Sequence, residues 1–296
     1  MLYQFNNGGF WLKRQKGEPK EEGNMSDAVE TLKGDIRESF LKIDRVIDLS
    51  SFLGMKSLDY VIDSYFNDLN NNNENIRKIC KFHDLKKHDE ESYNHSLRVG
   101  ILAWAALKGV EDYRTLNNKD ISEFCIGAIV HDIGKLAVDD KILKRKGKLS
   151  ENELKKIKRH VNKGHLVDEY ILKEGINTAL MKMIVEGHHK YQNGNGYGKI
   201  INENKFNGLI QLVSIADHID AAIFRGIYQE KCRPSEIENY LELVSANEDD
   251  NLEYLKNRVN AIKDSEGKPY FKDVEPGKFE RKYALPYIYM LRNHAR

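Results

Sequence analysis

The sequence predicts an all-α fold, and three observations support this. Apolar residues recur at intervals of three and four along most of the chain, which is the pattern of one buried helix face. Alternating strand-like patterns are scarce, and no internal repeat is visible. The chain has 296 residues, of which 40% are hydrophobic and 31% charged, enough for one large or two modest domains with an ample core. We therefore expect a globular helical bundle.

The N-terminal quarter of the chain divides into a tail and a helical segment. Residues 1–24 lack apolar periodicity and are predicted to be a flexible tail. Residues 25–75 are predicted to be a helical segment, ending in an asparagine-rich run. Its role is open between dimerisation, regulation and additional packing on the bundle. The apolar row of its first helix is Leu32, Ile36, Phe40, Ile43 and Ile47.

Helical periodicity continues through residues 76–296, which we assign to a second, larger domain. Ser150 and Glu153 have the spacing of a capping box, which predicts a helix starting at this point and running on to about residue 172. The aromatic-rich C-terminal segment, "KFERKYALPYIYMLRNHAR", is predicted to cover the core. We expect a continuous helical bundle over this region.

Composition excludes several classes of protein. No apolar run is long enough to span a bilayer, and the first residues lack the apolar segment of a signal peptide, so we expect a cytoplasmic protein with no membrane partner. The three cysteines, Cys80, Cys125 and Cys232, are too widely separated to indicate a disulfide framework or a thiolate zinc site. With 47 basic and 46 acidic residues, bulk nucleic-acid binding is not expected, although a local anion site remains open.

Helical segments along the chain offer nitrogen and oxygen ligands for a metal. Glu91 and His95 are four residues apart and so share a helix face. His131-Asp132 closes an apolar run, and Gly134 indicates a helix end there. Asp217 follows on the inner side of a later helix. Imidazole and carboxylate without thiolate suit Mn, Fe, Zn or Mg, and a carboxylate can bridge adjacent metals.

Three further histidines extend this set. His160 and His165 fit the same helix face about equally well by spacing. His188 and His189 are adjacent, and adjacent side chains on a helix point about 100° apart. They can converge only if the helix ends there, and the turn-forming run at residues 193–196 predicts such an end.

The dipeptide His-Asp occurs three times, and only one copy is a convincing ligand pair. His83-Asp84 and His88-Asp89 lie in a polar stretch, where surface charge is the expected role. The third copy, His131-Asp132, follows a helix predicted to be buried and precedes "IGK", which brings Lys135 one turn further on.

This ordered set, with "HDIGK" at 131–135 and "GYG" at 196–198, resembles the HD-GYP family of bacterial phosphodiesterases within the HD phosphohydrolase superfamily. The resemblance covers about residues 83–233 and implies an HD-domain helical bundle. It selects His160 over His165. It also implies two or three divalent metal ions, Fe or Mn first, with Mg, Zn, Ni or Co as alternatives. The implied ligands are Glu91, His95, His131, Asp132, His160, His188, His189 and Asp217.

The resemblance also implies a reaction and a partner. The expected activity is hydrolysis of a cyclic dinucleotide, in the first place cyclic di-GMP to pGpG and/or GMP, by a hydroxide that bridges two metals. Asp132 would bridge these metals and Lys135 would contact the phosphate or the nucleophile, so both are expected to be catalytic residues. Glu91 is the position that supports a third metal in some members of the family.

The loop after the paired histidines departs from the family pattern. Lys190, Gln192 and Asn193 replace a glutamate, an aromatic residue and an aspartate respectively, and Gly198 replaces the final proline. Another nucleotide substrate therefore stays open (a mixed cyclic dinucleotide, a linear oligonucleotide or a nucleotide phosphate), as does a non-hydrolytic sensor. A homodimer through the N-terminal helices is one further expectation. The expected substrate contacts are Lys135, Gly196, Tyr197, Arg225, Tyr228 and Lys231.

Overall fold

The computed structural model describes residues 21–296 except 70–75, 77–78, 115, 146, 148, 172–177, 200–203, 225–230, 248 and 272–273. Most of the predicted tail therefore lies outside the described residues. The described part contains helices and three isolated bridges but no strand, so the all-α prediction is confirmed. The helices are α1 (Glu21–Asp44), α2 (Leu49–Phe52), α3 (Leu58–Leu69), α4 (His83–His88), α5 (Glu90–Gly109), α6 (Asn118–Ile129), α7 (Asp140–Leu143), α8 (Glu151–Lys158), α9 (Leu166–Tyr170), α10 (Ala179–Gly187), α11 (Asn204–Ile223), α12 (Pro234–Val244), α13 (Leu252–Asn260) and α14 (Arg281–Asn293). Short 3-10 turns occupy Cys80–Phe82, Glu111–Tyr113, Ile133–Ala137 and Arg159–Lys163.

Helix α5 runs through the centre of the bundle and is buried on nearly all sides. It packs against α6, α11 and α1. The helix begins where it does because the Asp89 side chain accepts a hydrogen bond from the backbone N–H of Ser92 at 3.2 Å. Asp89 is buried, and a ring nitrogen of His88 lies 2.8 Å from the carbonyl oxygen of Val138. The prediction that this His-Asp pair only carries surface charge is therefore wrong.

The N-terminal helices share the core of the bundle. Four of the five apolar residues predicted to form one row lie in α1 and are buried, and the fifth, Ile47, is buried just beyond the end of the helix. Phe40 of α1 meets Tyr65 of α3 with ring centroids 5.3 Å apart, and Tyr65 meets Trp104 of α5 at 5.2 Å, both edge-to-face. These contacts anchor α1 and α3 on the central helix. The division of the chain at residues 75 and 76 stays a prediction.

The basic segment after residue 150 does not form one continuous helix, contrary to expectation. The capping box of Ser150 and Glu153 is confirmed, but α8 ends at Lys158 and a 3-10 turn follows. This turn packs closely on the 3-10 turn that begins at Ile133. A Cβ atom at Gly134 would lie 2.0 Å from the carbonyl oxygen of His160, so only glycine allows the two backbones to approach. The break carries His160 out of the exposed helix and towards the interior.

No helix in the described part of the chain is both long enough and apolar enough to cross a membrane.

Candidate metal centre

Three sharp turns and two long helices deliver the predicted ligands to one buried region. His131 and Asp132 follow the end of α6, His160 lies in the 3-10 turn after α8, and His188 and His189 follow the end of α10. Helix α5 contributes His95 and helix α11 contributes Asp217. All are buried apart from His189, which is partly exposed. The turn predicted after the paired histidines explains how both reach the same region.

The ligand atoms form two groups, each with its atoms within 4.8 Å of one another: His95, His131 and Asp132 in one, and His160, His188 and His189 in the other. Asp132 faces both groups. Its Oδ1 atom lies 3.2 Å from His160 Nε2, and its Oδ2 atom lies 3.6 Å from the Nε2 atoms of both His95 and His131. This is the arrangement expected of a carboxylate shared by two cations.

Asp217 lies beside both groups as well. Its Oδ1 atom is 3.0 Å from His95 Nε2, and its Oδ2 atom is 3.7 Å from His189 Nδ1. The structure thus brings together seven of the eight predicted ligands.

Hydrogen bonds on the outer side of the rings fix the orientation of the histidines. The Nδ1 atoms of His131 and His160 lie 2.9 Å and 2.8 Å from the carbonyl oxygens of Ala128 and Ile157. His188 Nδ1 lies 3.0 Å from the carbonyl oxygen of Ile184. A carbonyl oxygen only accepts, so each Nδ1 carries the proton and donates it. In a neutral ring the Nε2 atom then presents its lone pair to the centre, which is how protein histidines bind metals.

Two close contacts in the centre bring acceptors face to face. The Nε2 atoms of His160 and His188 are 3.3 Å apart, and each carries a lone pair if its ring is neutral. His95 Nε2 faces the carboxylate of Asp217 in the same way. The buried atoms His95 Nε2, His131 Nε2 and Asp132 Oδ1 also have no hydrogen-bond partner. A cation placed between such acceptors would satisfy them, so these residues fit a metal.

The pKa values of these groups support ligand character. Burial lowers the pKa of His131, His160 and His188 to about 4, because a charged imidazolium would lose its hydration. Burial alone would raise the pKa of Asp132, but the positive charge of Lys135 and the neighbouring histidines hold it well below its usual value. Near neutral pH the centre therefore offers neutral imidazoles and ionised carboxylates, the forms that bind divalent cations.

Sequence reasoning missed a pair of residues behind His95. The Nδ1 atom of His95 lies 2.6 Å from Asp220 Oδ2, and Asp220 is fully buried. Arg98 donates to both oxygens of Asp220, through Nε at 2.5 Å and Nη2 at 3.1 Å. A signal was present: each partner lies three residues after a predicted ligand, hence on the same helix face. Asp220 thus orients His95 as a carboxylate behind a metal-binding histidine does.

Two other residues predicted for the centre are Lys135, which lies inside it, and Glu91, which lies outside both groups of ligand atoms. Lys135 is buried, and its ammonium group donates to Asp132 Oδ2. Glu91 is partly exposed, outside both groups of ligand atoms, and its carboxylate lies 3.4 Å from Arg98 Nη2. A third metal at Glu91 stays a prediction.

The glycine-rich loop folds back over the second group of ligands. Gly196 has a φ of +83°, and a Cβ atom there would lie 2.0 Å from the carbonyl oxygen of His189. Tyr197 stacks on the His189 ring with centroids 4.5 Å apart, and Lys158 Nζ lies 5.3 Å from the Tyr197 centroid. Gly198 has a φ of +105°, which proline cannot adopt because its ring fixes φ near −65°. Glycine at this position therefore matches the backbone of the loop.

Three predicted substrate contacts lie beyond the loop. Arg225 and Tyr228 fall outside the described residues, and Lys231 is exposed on the segment before α12. Their contact with substrate stays a prediction.

A helical bundle with buried imidazoles and carboxylates arranged for cations defines a metal-binding α-helical domain. Residues 92–222 match the family model of the HD domain, whose members bind divalent metals. This match covers less than half of the chain, and it supports the assignment of an HD-GYP-like protein.

Curated relatives agree with this assignment. The chain is 35% identical over 151 residues to a probable cyclic di-GMP phosphodiesterase of Vibrio cholerae, a match that covers 48% of this chain and 34% of the relative. It is 30% identical over 147 residues to a cyclic di-GMP phosphodiesterase of Thermotoga maritima, covering 48% of this chain and 37% of the relative. The chain thus spans about a third of the length of these relatives.

Proposed function

We propose that the centre binds two or three divalent metal ions, Fe or Mn first, with Mg, Zn, Ni or Co as alternatives, the third being at Glu91. His95, His131 and Asp217 would hold one ion, and His160, His188 and His189 the other. Asp132 would contribute one oxygen to each. The acceptor atoms that face one another in the buried centre carry this proposal.

The proposed activity is hydrolysis of a cyclic dinucleotide, cyclic di-GMP in the first place, to pGpG and/or GMP. The relatives named cyclic di-GMP phosphodiesterases support this substrate, and the shared carboxylate between two groups of histidines supports phosphodiester hydrolysis. When bound, two divalent cations would activate a water molecule as nucleophile and neutralise charge on the phosphate.

The chain's own residues contribute positioning and charge to this reaction. The buried ammonium of Lys135 lies against Asp132, so it can donate a hydrogen bond to a phosphate oxygen next to that carboxylate. Tyr197 covers His189 at the edge of the centre and restricts solvent access on that side. Asp220 and Arg98 hold His95 in one orientation. Together these residues present a rigid, preorganised site to the phosphodiester.

Replacing Asp132 by alanine tests the proposal. Elemental analysis of protein purified without chelator should give about two metal ions per wild-type chain and a clear deficit in Asp132→Ala. Turnover of cyclic di-GMP should fall at least about a thousandfold, since a shared ligand and a charge partner are lost together. Asp140→Ala, at a carboxylate in a surface ion pair with Lys144, is the matched control. Unchanged metal content and turnover in Asp132→Ala would end the assignment.

A mixed cyclic dinucleotide is the second candidate substrate. A 3'3'-cGAMP-specific phosphodiesterase of Vibrio cholerae is 31% identical over 94 residues, covering 32% of this chain and 20% of that protein. Side-by-side turnover of cyclic di-GMP, 3'3'-cGAMP, pGpG and GTP by the Mn-loaded and the Fe-loaded protein distinguishes the candidates. A higher kcat/KM for 3'3'-cGAMP than for cyclic di-GMP would make the mixed cyclic dinucleotide the preferred substrate. No turnover at all, with binding retained, would instead indicate a sensor.

Two further parts of the proposal concern the setting of the protein. We propose a cytoplasmic location, where cyclic dinucleotides are made and degraded. We also propose a homodimer through the N-terminal helices, whose outer faces carry the exposed apolar side chains of Leu41 and Tyr60.

A further inference from the structure

A cavity of about 240 Å³ opens beside the metal centre, between the glycine-rich loop and the segment before α14. None of its lining residues is among the predicted ligands or substrate contacts. We call it the aromatic cavity. It is lined by Tyr191, Asn193, Asn195, Tyr240, Val244, Tyr270, Phe271, Val274, Glu275 and Lys278.

The aromatic cavity is joined to the metal centre through Tyr191. Tyr191 follows His189 by two residues, so their Cα atoms are at most about 7 Å apart. The loop that carries Tyr191 is tied to the far wall by the backbone N–H of Gln192, which donates to the carbonyl oxygen of Lys278 at 3.0 Å. Asn195 also donates to Glu275 Oε2 at 3.1 Å. A substrate phosphate at the metals would therefore place its attached nucleoside within reach of this cavity.

The walls of the aromatic cavity suit a flat ring system. Tyr240 and Phe271 are stacked on each other, with centroids 4.4 Å apart and planes 20° from parallel, and Tyr240 is buried. The partly exposed ring of Phe271 is therefore the one that can contact a ligand. Tyr191 lines the side nearest the metals. Nucleobases stack on such aromatic faces, and every base has a face that can do so. The walls thus favour a nucleobase without selecting which one.

Two charged groups on the cavity wall can distinguish one nucleobase from another. The carboxylate of Glu275 is exposed and accepts one hydrogen bond from Asn195, which leaves acceptor capacity for N–H donors. The ammonium group of Lys278 contacts His218 Nε2 and Tyr240 Oη, each at 2.7 Å, so its positive charge is held at the wall. Guanine carries its amino group and N1–H as donors next to the acceptor O6 on its Watson–Crick edge, and O6 with N7 on the edge that faces the major groove. Adenine presents an amino donor where guanine presents O6.

We propose that the aromatic cavity is a guanine-binding subsite, in which Glu275 accepts from the N1–H and amino group of the base and Lys278 lies near O6. The inference rests on the proposed phosphodiesterase function and assigns to that enzyme a preference for substrates that contain guanine. It assigns recognition of one guanine to residues outside the motifs of the metal centre.

The test compares wild type with Glu275→Gln, which keeps an acceptor for Asn195 but loses the charge. In wild type, GMP should bind at least about tenfold more tightly than AMP in calorimetry. Glu275→Gln should weaken GMP binding about tenfold and leave AMP within about twofold. The same variant should raise KM for cyclic di-GMP about tenfold, with kcat unchanged. Glu30→Gln, on the exposed face of α1, is the matched control.

A base-free substrate separates this inference from the proposed function. Bis(p-nitrophenyl) phosphate needs only the metal centre, and Glu275→Gln should cleave it at the wild-type rate. Equal binding of GMP and AMP by wild type, or GMP binding unaffected by Glu275→Gln, would overturn the guanine subsite. Failure of wild type to cleave either phosphodiester would overturn the proposed function, while the nucleotide-binding comparison would still decide the role of the cavity.

Discussion

The metal centre and the aromatic cavity are neighbours, but they are built in opposite ways. In the metal centre, His131, His160 and His188 are fully enclosed, and the outer nitrogen of each ring is bound to a backbone carbonyl oxygen. In the aromatic cavity, the walls come from a loop, helix α12 and a C-terminal segment, and the carboxylate of Glu275 is exposed. Under the two proposals above, the first region would carry out the chemistry and the second would recognise the base.

The metal centre also needs more rigid side chains than the aromatic cavity does. A metal ligand must be held in one rotamer, and hydrogen bonds from the far side of the ring achieve this. A recognition site tolerates more freedom, since stacking depends on ring faces and not on one fixed atom. Changes in the metal centre should therefore reduce hydrolysis of every phosphodiester, and changes in the cavity should affect only substrates that carry a base.

After Asp132→Ala, the largest expected effect comes from His160→Ala, compared with His165→Ala five residues later. His160 is buried among the ligands, whereas His165 is exposed. Turnover of cyclic di-GMP and of bis(p-nitrophenyl) phosphate should fall at least about 100-fold in His160→Ala, because loss of a ligand exceeds the usual effect of losing an outer-shell partner. His165→Ala should keep both rates. Parallel steady-state assays decide the matter, and equal rates in the two variants would show that His160 is not a ligand.

A smaller effect is expected behind the centre, at Asp220. Asp220→Asn removes the negative charge that orients His95 but preserves the shape of the side chain. We expect metal affinity to fall about 10- to 100-fold, the usual cost of losing such a partner. Titration of metal-free protein with Mn²⁺ measures this directly. Asp168→Asn, in a surface ion pair with Lys182, is the matched control, and a similar loss in both variants would argue for a general folding defect.

A different kind of prediction concerns pH and applies to the metal-free protein. Burial lowers the pKa of His131, His160 and His188 from 6.5 to about 4, so between these values the unfolded chain binds protons that the folded protein does not. The free energy of unfolding should therefore fall as the pH drops from about 6.5 towards 4, by up to about 1.4 kcal/mol per pH unit for each histidine. Urea unfolding at several pH values measures the slope. A flat profile, or the same slope in His160→Gln as in wild type, would contradict the burial of neutral imidazoles.

Much of the metal centre could be predicted from the sequence because its ligands lie in short, ordered motifs. His131 and Asp132 close an apolar helix, and the turn after His188 and His189 is visible in the glycine and asparagine residues that follow. The apolar spacing of α1 likewise identified its buried face. These signals are local, so they survive in a single sequence.

Features that depend on tertiary contacts could not be predicted. The helix break before His160 depends on the close approach of Gly134, which is distant in sequence. The aromatic cavity joins Tyr191 to Glu275 and Lys278, more than 80 positions away, and no motif marks the latter two. The role of Asp89 as a helix cap was hidden by its polar neighbours. Each depends on which backbones meet, and local spacing does not encode that.

The most direct test of the central claim is crystallographic. Crystals of the Mn-loaded protein should show two anomalous-scattering peaks, one on each side of Asp132. One peak should contact His95, His131 and Asp217, and the other His160, His188 and His189. A single peak elsewhere, or no peak in protein that hydrolyses cyclic di-GMP, would contradict the shared-carboxylate centre on which the account depends.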